Sequence, residues 1–218
     1  MYEKLYFDNP MGKSFHYLKY TPKDVKGKMP LLVFMHGAGE RGEADGSEIE
    51  LVARHGFFKQ IRKYNSEFPF MMVGPQCPKN EYWGSYLESV NRFLDHIISE
   101  NDIDTDRIYL TGLSMGGTAT WLWALDSPQR FAAIAPVCGQ GINWYAGKLI
   151  NMPVRVYHGD IDEVVSVHES VEMVSSINRK GGNATLKLFH GVKHNAWDYA
   201  YTDEMIEWLM QYPLPKNE

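Results

Sequence analysis

The sequence predicts an α/β fold, a mostly parallel, doubly wound sheet with helices on both faces, and three features carry that prediction. Six strongly apolar runs recur along the 218 residues, most of them continuous rather than alternating, as in strands buried on both faces. Between several of them lie stretches with apolar residues at offsets of three and four, the stripe of an amphipathic helix. Gly and Pro breaks punctuate the alternation, which is the order that builds a parallel sheet. The length fits one domain over residues 1–218 with a sizeable shared core.

The elements follow in chain order. KLYF around Leu5 and SFHYLKY at 14–20 alternate weakly and read as half-exposed strands forming an antiparallel edge. The polar connection PKDVKGKMP at 22–30 leads into LLVFM at 31–35, which ends at His36 and Gly37. FMMVG at 70–74 is the next run, followed by a helical stripe of Val90, Phe93, Leu94, Ile97 and Ile98. RIYLTG at 107–112 precedes a helix-prone stretch at 118–125, which Ser127 and Pro128 close. FAAIAPVCG at 131–139 and VRVYHG at 154–159 flank GQGINWYAGKLINM, a segment too short for a substantial lid. Val167, Val171, Val174 and Ile177 form a stripe that Gly181 and Gly182 stop, before ATLKLFHG at 184–191 and a final helix at 201–210. In such sheets function gathers at the carboxyl ends of the strands.

Composition narrows the function classes. Lys plus Arg total 22 against 27 Asp plus Glu, a formal charge of −5 that argues against a general grip on nucleic acid. The acidic stretch GERGEADGSEIE at 39–50 reads as a solvated loop whose carboxylates bind nothing. Cys77 and Cys138 each follow a predicted buried strand and read as small apolar residues, with a pairing between them left open. The N-terminus has no apolar leader core, and no window is long and apolar enough to span a bilayer. The expectation is a soluble protein without a membrane partner, in the cytoplasm or outside the cell; oligomeric state leaves no signal.

The most specific local motif is GLSMG at 112–116, a match to G-x-S-x-G placed after a predicted strand and before a helical stretch. A serine at such a strand-to-helix turn is held clear of the sheet in a strained conformation, and flanking glycines leave room for neighbouring backbone. Ser114 is therefore the candidate nucleophile. A serine hydroxyl is weakly nucleophilic at neutral pH, so a base within hydrogen-bond reach is needed.

With the partners in the chain order serine, acid, histidine, only His190 and His194 among the eight histidines lie beyond the acid. His190 ends a predicted strand, whereas His194 lies farther into GVKHNAW and can reach back over the sheet. His194 is favoured as base. Asp160, Asp162 and Glu163 follow VRVYHG; Asp162 is preferred because it lies deeper in the loop, just before Val164 and Val165, and Asp160 reads as a turn cap. The residue types leave the choice between the aspartates open. Backbone donors for a developing oxyanion are expected at Met115, after the serine, and at Ala38 in HGAGERG, while His36 is read as structural.

Together these segments resemble the phospholipase/carboxylesterase group of α/β-hydrolases, especially small bacterial esterases related to feruloyl and acetyl-xylan esterases. The similar pieces are HGAGERG at 36–42, VGPQCP at 73–78 followed by Trp83, DRIYLTGLSMGG at 106–117, PVCG at 136–139, HGDIDEVV at 158–165 and GVKHNAWDYAY at 191–201. The resemblance implies an α/β-hydrolase fold with a minimal lid or none, and it assigns the acid, because H-G-x-x-D-x-x-V falls on His158, Gly159, Asp162 and Val165. It implies catalytic residues Ser114, Asp162 and His194 and no metal or organic cofactor. Ser166 stands after Val165 where the group has proline, which leaves the loop path open.

The function expected on this basis is hydrolysis of short acyl or hydroxycinnamoyl esters, small or attached to plant polysaccharide. Trp83, Trp144 and Trp197 fall in predicted loops at the catalytic end, where a ring would hold an aromatic acyl group or a sugar face; packing has an equal claim on each. The alternatives are an acyl thioesterase or lysophospholipase-like enzyme with the same machinery, and a noncatalytic binding protein on the same fold.

Overall fold

One eight-stranded sheet organises the computed structural model, which describes residues 1–23 and 27–214; the centre of the polar connection at 22–30 lies outside the described residues. The strands are β1 (Tyr2–Phe7), β2 (Phe15–Tyr20), β3 (Met29–Met35), β4 (Met71–Pro75), β5 (Ile103–Leu113), β6 (Ala133–Val137), β7 (Val154–Gly159) and β8 (Ala184–Phe189). Their spatial order is β1-β2-β4-β3-β5-β6-β7-β8. β1 and β2 pair antiparallel at one edge, β2 pairs antiparallel with β4, and every later pairing is parallel.

Side chains of one strand alternate between two cores, as the pleat requires. Leu31, Val33 and Met35 of β3 enter the core shared with α2 (Leu87–Glu100), α3 (Met115–Asp126) and α4 (Val167–Arg179). Leu32 and Phe34 enter the other, shared with α1 (Gly56–Tyr64), α5 (Trp197–Ala200) and α6 (Asp203–Leu209). Burial on both faces explains why β4 and β6 read as unbroken apolar runs. β8, at the open edge, is mostly half-buried or exposed, with only Ala184 fully buried.

Three elements differ from expectation. α1 was not foreseen: only Phe57, Phe58 and Ile61 form its buried apolar stripe, and it opens on Gly56, whose φ of 64° is foreign to a helix. α3 starts directly after Ser114, three residues before the expected position, because Gly116 and Gly117 mask a helix start that packing fixes. The final helix is divided, with Thr202 extended at φ −130° and ψ 169° between α5 and α6.

The β6–β7 connection, containing the 3-10 turn Asn143–Leu149, runs along the flank of α4. A Cβ at Gly141 would lie 2.3 Å from Met173, and one at Gly147 would lie 3.3 Å from Lys180. Among the described residues no helix is long and apolar enough to cross a membrane.

Candidate active site

β5 lies between β3 and β6, so its carboxyl end is flanked by the loops that follow both neighbours. The chain turns there into α3 through Ser114, at φ 55° and ψ −119°, a strained region for a residue with a Cβ. Ser114 N–H donates to the Val137 carbonyl at 2.9 Å, and the Ser114 carbonyl accepts from Thr118 N–H at 2.9 Å, which ties the turn to β6 and to the helix. Gly116 permits the close fit. A Cβ on it would sit 1.9 Å from the carbonyl oxygen of Met35 at the end of β3.

The loops after β7 and β8 bring two further side chains to this turn. His194 Nε2 lies 2.8 Å from Ser114 Oγ, and its Nδ1 lies 2.7 Å from Asp162 Oδ2. Asp162 Oδ1 accepts the backbone N–H groups of Val164 at 2.9 Å and Val165 at 3.0 Å. Its carboxylate is fully buried. Burial pushes the Asp162 carboxyl up, but the hydrogen bonds from His194, Val165 and Val164 outweigh it and hold the group below the usual carboxylate range. An ionised Asp162 only accepts, so it selects the His194 tautomer with hydrogen on Nδ1 and leaves the Nε2 lone pair facing the serine hydroxyl.

His158 supports this arrangement from below. Its fully buried ring places Nε2 2.9 Å from the Val165 carbonyl and 3.2 Å from Asp162 Oδ2, with Nδ1 2.7 Å from Ser170 Oγ. The Val165 carbonyl only accepts, so Nε2 carries the hydrogen and Nδ1 accepts from the Ser170 hydroxyl. Burial pulls the imidazole below its ordinary range, in keeping with a neutral ring. Sequence reading used His158 only as a motif letter; its two partners lie seven and twelve residues away.

The other aspartate and histidine considered for these positions meet one another instead. Asp160 Oδ2 lies 2.9 Å from His190 Nδ1, and Asp160 Oδ1 accepts Gly191 N–H at 2.7 Å, an exposed clip between the β7 and β8 loops.

Ala38 and Met115 each open a helix, positions whose N–H groups have no acceptor within the helix. The Ala38 turn is fixed by a residue that sequence reasoning placed in solvent. Glu40 is buried; its Oε2 accepts Gly37 N–H at 3.1 Å while its own N–H donates to the Gly37 carbonyl at 3.2 Å. This corrects the solvated reading of the 39–50 carboxylates at that position. The missed signal is a glutamate three residues after a turn's first residue, the spacing of a capping box.

Below that turn, His36 Nδ1–H donates to the Gly37 carbonyl at 2.7 Å and its Nε2 accepts Cys77 N–H at 2.9 Å. Burial pulls the His36 pKa down to about 4. Trp83 Nε1–H donates to the His36 carbonyl at 3.1 Å, and its ring is packed in the core, closed to a ligand. Trp144 is also away from the serine: it is 88 % exposed and shares a surface cavity with Ser176, Arg179 and Lys180, at the end of α4 remote from the acid loop. Of the three tryptophans only Trp197 touches the hydrogen-bonded chain, standing edge-on to His194 with ring centroids 5.2 Å apart.

Cys77 and Cys138 are buried free thiols, each pushed up to about 12 by burial. Among the described residues Cys138, Asp162 and His194 bring metal-capable atoms within 4.8 Å of one another. They do not suit a metal: the imidazole and carboxylate atoms already bond each other, and the thiol, donating to the His194 carbonyl at 3.4 Å, stays protonated.

The family described as Phospholipase/Carboxylesterase matches residues 22–209. A bifunctional acetylxylan esterase/xylanase of Neocallimastix patriciarum is 26% identical over 163 residues, covering 72% of this chain and 22% of that protein. Poly(3-hydroxyalkanoate) depolymerase C of Paucimonas lemoignei is 27% identical over 134 residues, covering 56% of this chain and 30% of that protein. The crystal structure of a thermostable esterase superposes with a TM-score of 0.82 at 31% identity, covering 97% of this chain and 63% of that one. The chain thus spans less than two thirds of each of these relatives.

Proposed function

As the chain belongs to the phospholipase/carboxylesterase family, we propose that it hydrolyses carboxylic esters through an acyl-enzyme on Ser114. The observation that carries this reading is the unbroken hydrogen-bonded chain from Ser114 through His194 to Asp162 at a strained strand-to-helix turn. In the proposed reaction Ser114 Oγ attacks the ester carbonyl as His194 Nε2 takes its proton. The N–H groups of Ala38 and Met115 face the oxyanion, and Asp162 stabilises the imidazolium. His194 then protonates the departing alcohol, and a water that it activates releases the acid.

Short acyl or hydroxycinnamoyl esters carried on polysaccharide are the proposed substrates. In support, the acetylxylan esterase/xylanase is a relative, Ser114 and His194 are half-exposed, and the β6–β7 segment lies along α4. The test is a panel of acetyl, butyryl, long-chain and feruloyl esters with matched thioesters, run beside Ser114→Ala. Activity is expected to fall about a millionfold in that variant, with loss of fluorophosphonate labelling. Higher kcat/KM on long acyl chains rejects the substrate class. Preference for thioesters transfers the reading to an acyl thioesterase, and absence of a Ser114-dependent adduct leaves a noncatalytic binding protein.

A further inference from the structure

Trp144 stands almost fully in solvent, which is unusual for the side chain that gains most from burial. Its surroundings are not those of a stray surface ring. Asn143, Ser176, Arg179 and Lys180 share with it a cavity of about 400 Å³. The 3-10 turn Asn143–Leu149 is anchored from behind by buried Ala146 and Leu149, so the indole is presented on a fixed support. Arg179 donates to Ser176 Oγ at 3.1 Å, which holds its guanidinium along the cavity wall. Lys148 lies 5.9 Å from the Tyr145 ring beside it. Glu172, 3.9 Å from Arg179, is the acid paired with this group, so the cations outnumber it in a chain whose formal charge is −5.

An aromatic face, two hydrogen-bonding side chains and two cations around one concavity match a flat, polyhydroxylated ring carrying a carboxylate. We propose that this cavity is a second, noncatalytic subsite that binds a uronic-acid unit of an acidic polysaccharide. The C–H face of the sugar lies on the indole, Asn143 and Ser176 meet its hydroxyls, and Arg179 and Lys180 meet its carboxylate. Ser176 and Arg179 are roughly 14–18 Å along the axis of α4 from Val167, the end nearest the acid loop. The subsite therefore holds the polymer at a distance from the reacting ester and raises the local concentration of ester groups. The inference rests on the polysaccharide-ester reading above and names the glycan class.

The test uses the whole chain carrying Ser114→Ala, so that retention is measured without turnover. Affinity electrophoresis through polygalacturonate is expected to retard it, with no retardation in neutral xylan. Trp144→Ala weakens retention about tenfold, Trp144→Phe restores most of it, and Lys180→Glu weakens it more at low than at high salt. Retention that ignores Trp144→Ala, or that is equal in neutral xylan, overturns the proposal. So does Trp144-dependent flotation with phosphatidylglycerol vesicles, or Trp144-dependent self-association in sedimentation, when polygalacturonate retention is absent. Because Trp144 is exposed, unchanged thermal melting of the variants separates lost binding from lost folding. The ester panel is independent: retention can survive when ester turnover is absent, and turnover can survive when retention is absent.

Discussion

Asp162 accepts three hydrogen bonds, from the N–H groups of Val164 and Val165 and the ring of His194, with His158 Nε2 3.2 Å from Oδ2, and this determines what its substitution does. In Asp162→Asn the amide group offers its NH₂ to a neighbour, so the His194 tautomer reverses and Nε2 no longer faces Ser114 with a lone pair. A loss of about 10⁴ in kcat with little change in KM is expected, the size of the same reversal in a serine protease. Steady-state kinetics on a short-chain ester check it. His158→Leu acts through a second residue: the Val165 carbonyl and Ser170 hydroxyl lose their partner, and urea denaturation should show a loss of about 1–3 kcal/mol. Its kcat falls less than that of Asp162→Asn; an unchanged kcat together with unchanged stability removes His158 from the support of the acid. Ser114 was legible because the turn that strains it also demands glycines beside it, and those letters stand together. His158 and Glu40 were not. A buried histidine and a solvated one are the same letter, and only packing between distant segments supplies their partners.

Among the elements, the junction of β3, β5 and α3 is least tolerant of added volume. In Gly116→Ala the new methyl group meets backbone, not a movable side chain, so the first turn of α3 is forced away from the end of β3. Destabilisation of about 2 kcal/mol or more is expected, with ester turnover lost in parallel because Ser114 and the Met115 N–H move with that turn. Thermal melting and labelling of Ser114 would show both; a fully labelled variant with wild-type melting contradicts the packing account. Strands declared themselves in the sequence because helices cover both faces and leave no place for polar residues along β4 and β6. α1 and the break at Thr202 did not, since three apolar residues make too short a stripe and an extended threonine between two helical turns leaves no compositional mark.

For the molecule as a whole, acid stability depends on imidazoles that cannot take up protons. His36 titrates near 6.5 when unfolded and at about 4 when folded, so between those values the unfolded chain binds more protons and stability rises with pH. The stabilisation is complete above 6.5 and falls by about 3 kcal/mol as pH drops to 4. The lowered His158 adds in the same direction, while Glu40, raised by burial, opposes it just above its ordinary value. Urea midpoints between pH 4 and 7 should therefore climb with pH, and His36→Gln should flatten the climb; an equal slope in that variant assigns the effect elsewhere. The order of strands was readable only as an edge and a parallel body, because crossovers that place β4 outside β3 depend on helix packing absent from any local pattern. A different global consequence attends the φ of 55° at position 114. Glycine would rest there with less effort than serine, so a search for heat-resistant descendants judged by melting alone would drift toward Ser114→Gly and yield sturdy molecules stripped of the proposed nucleophile.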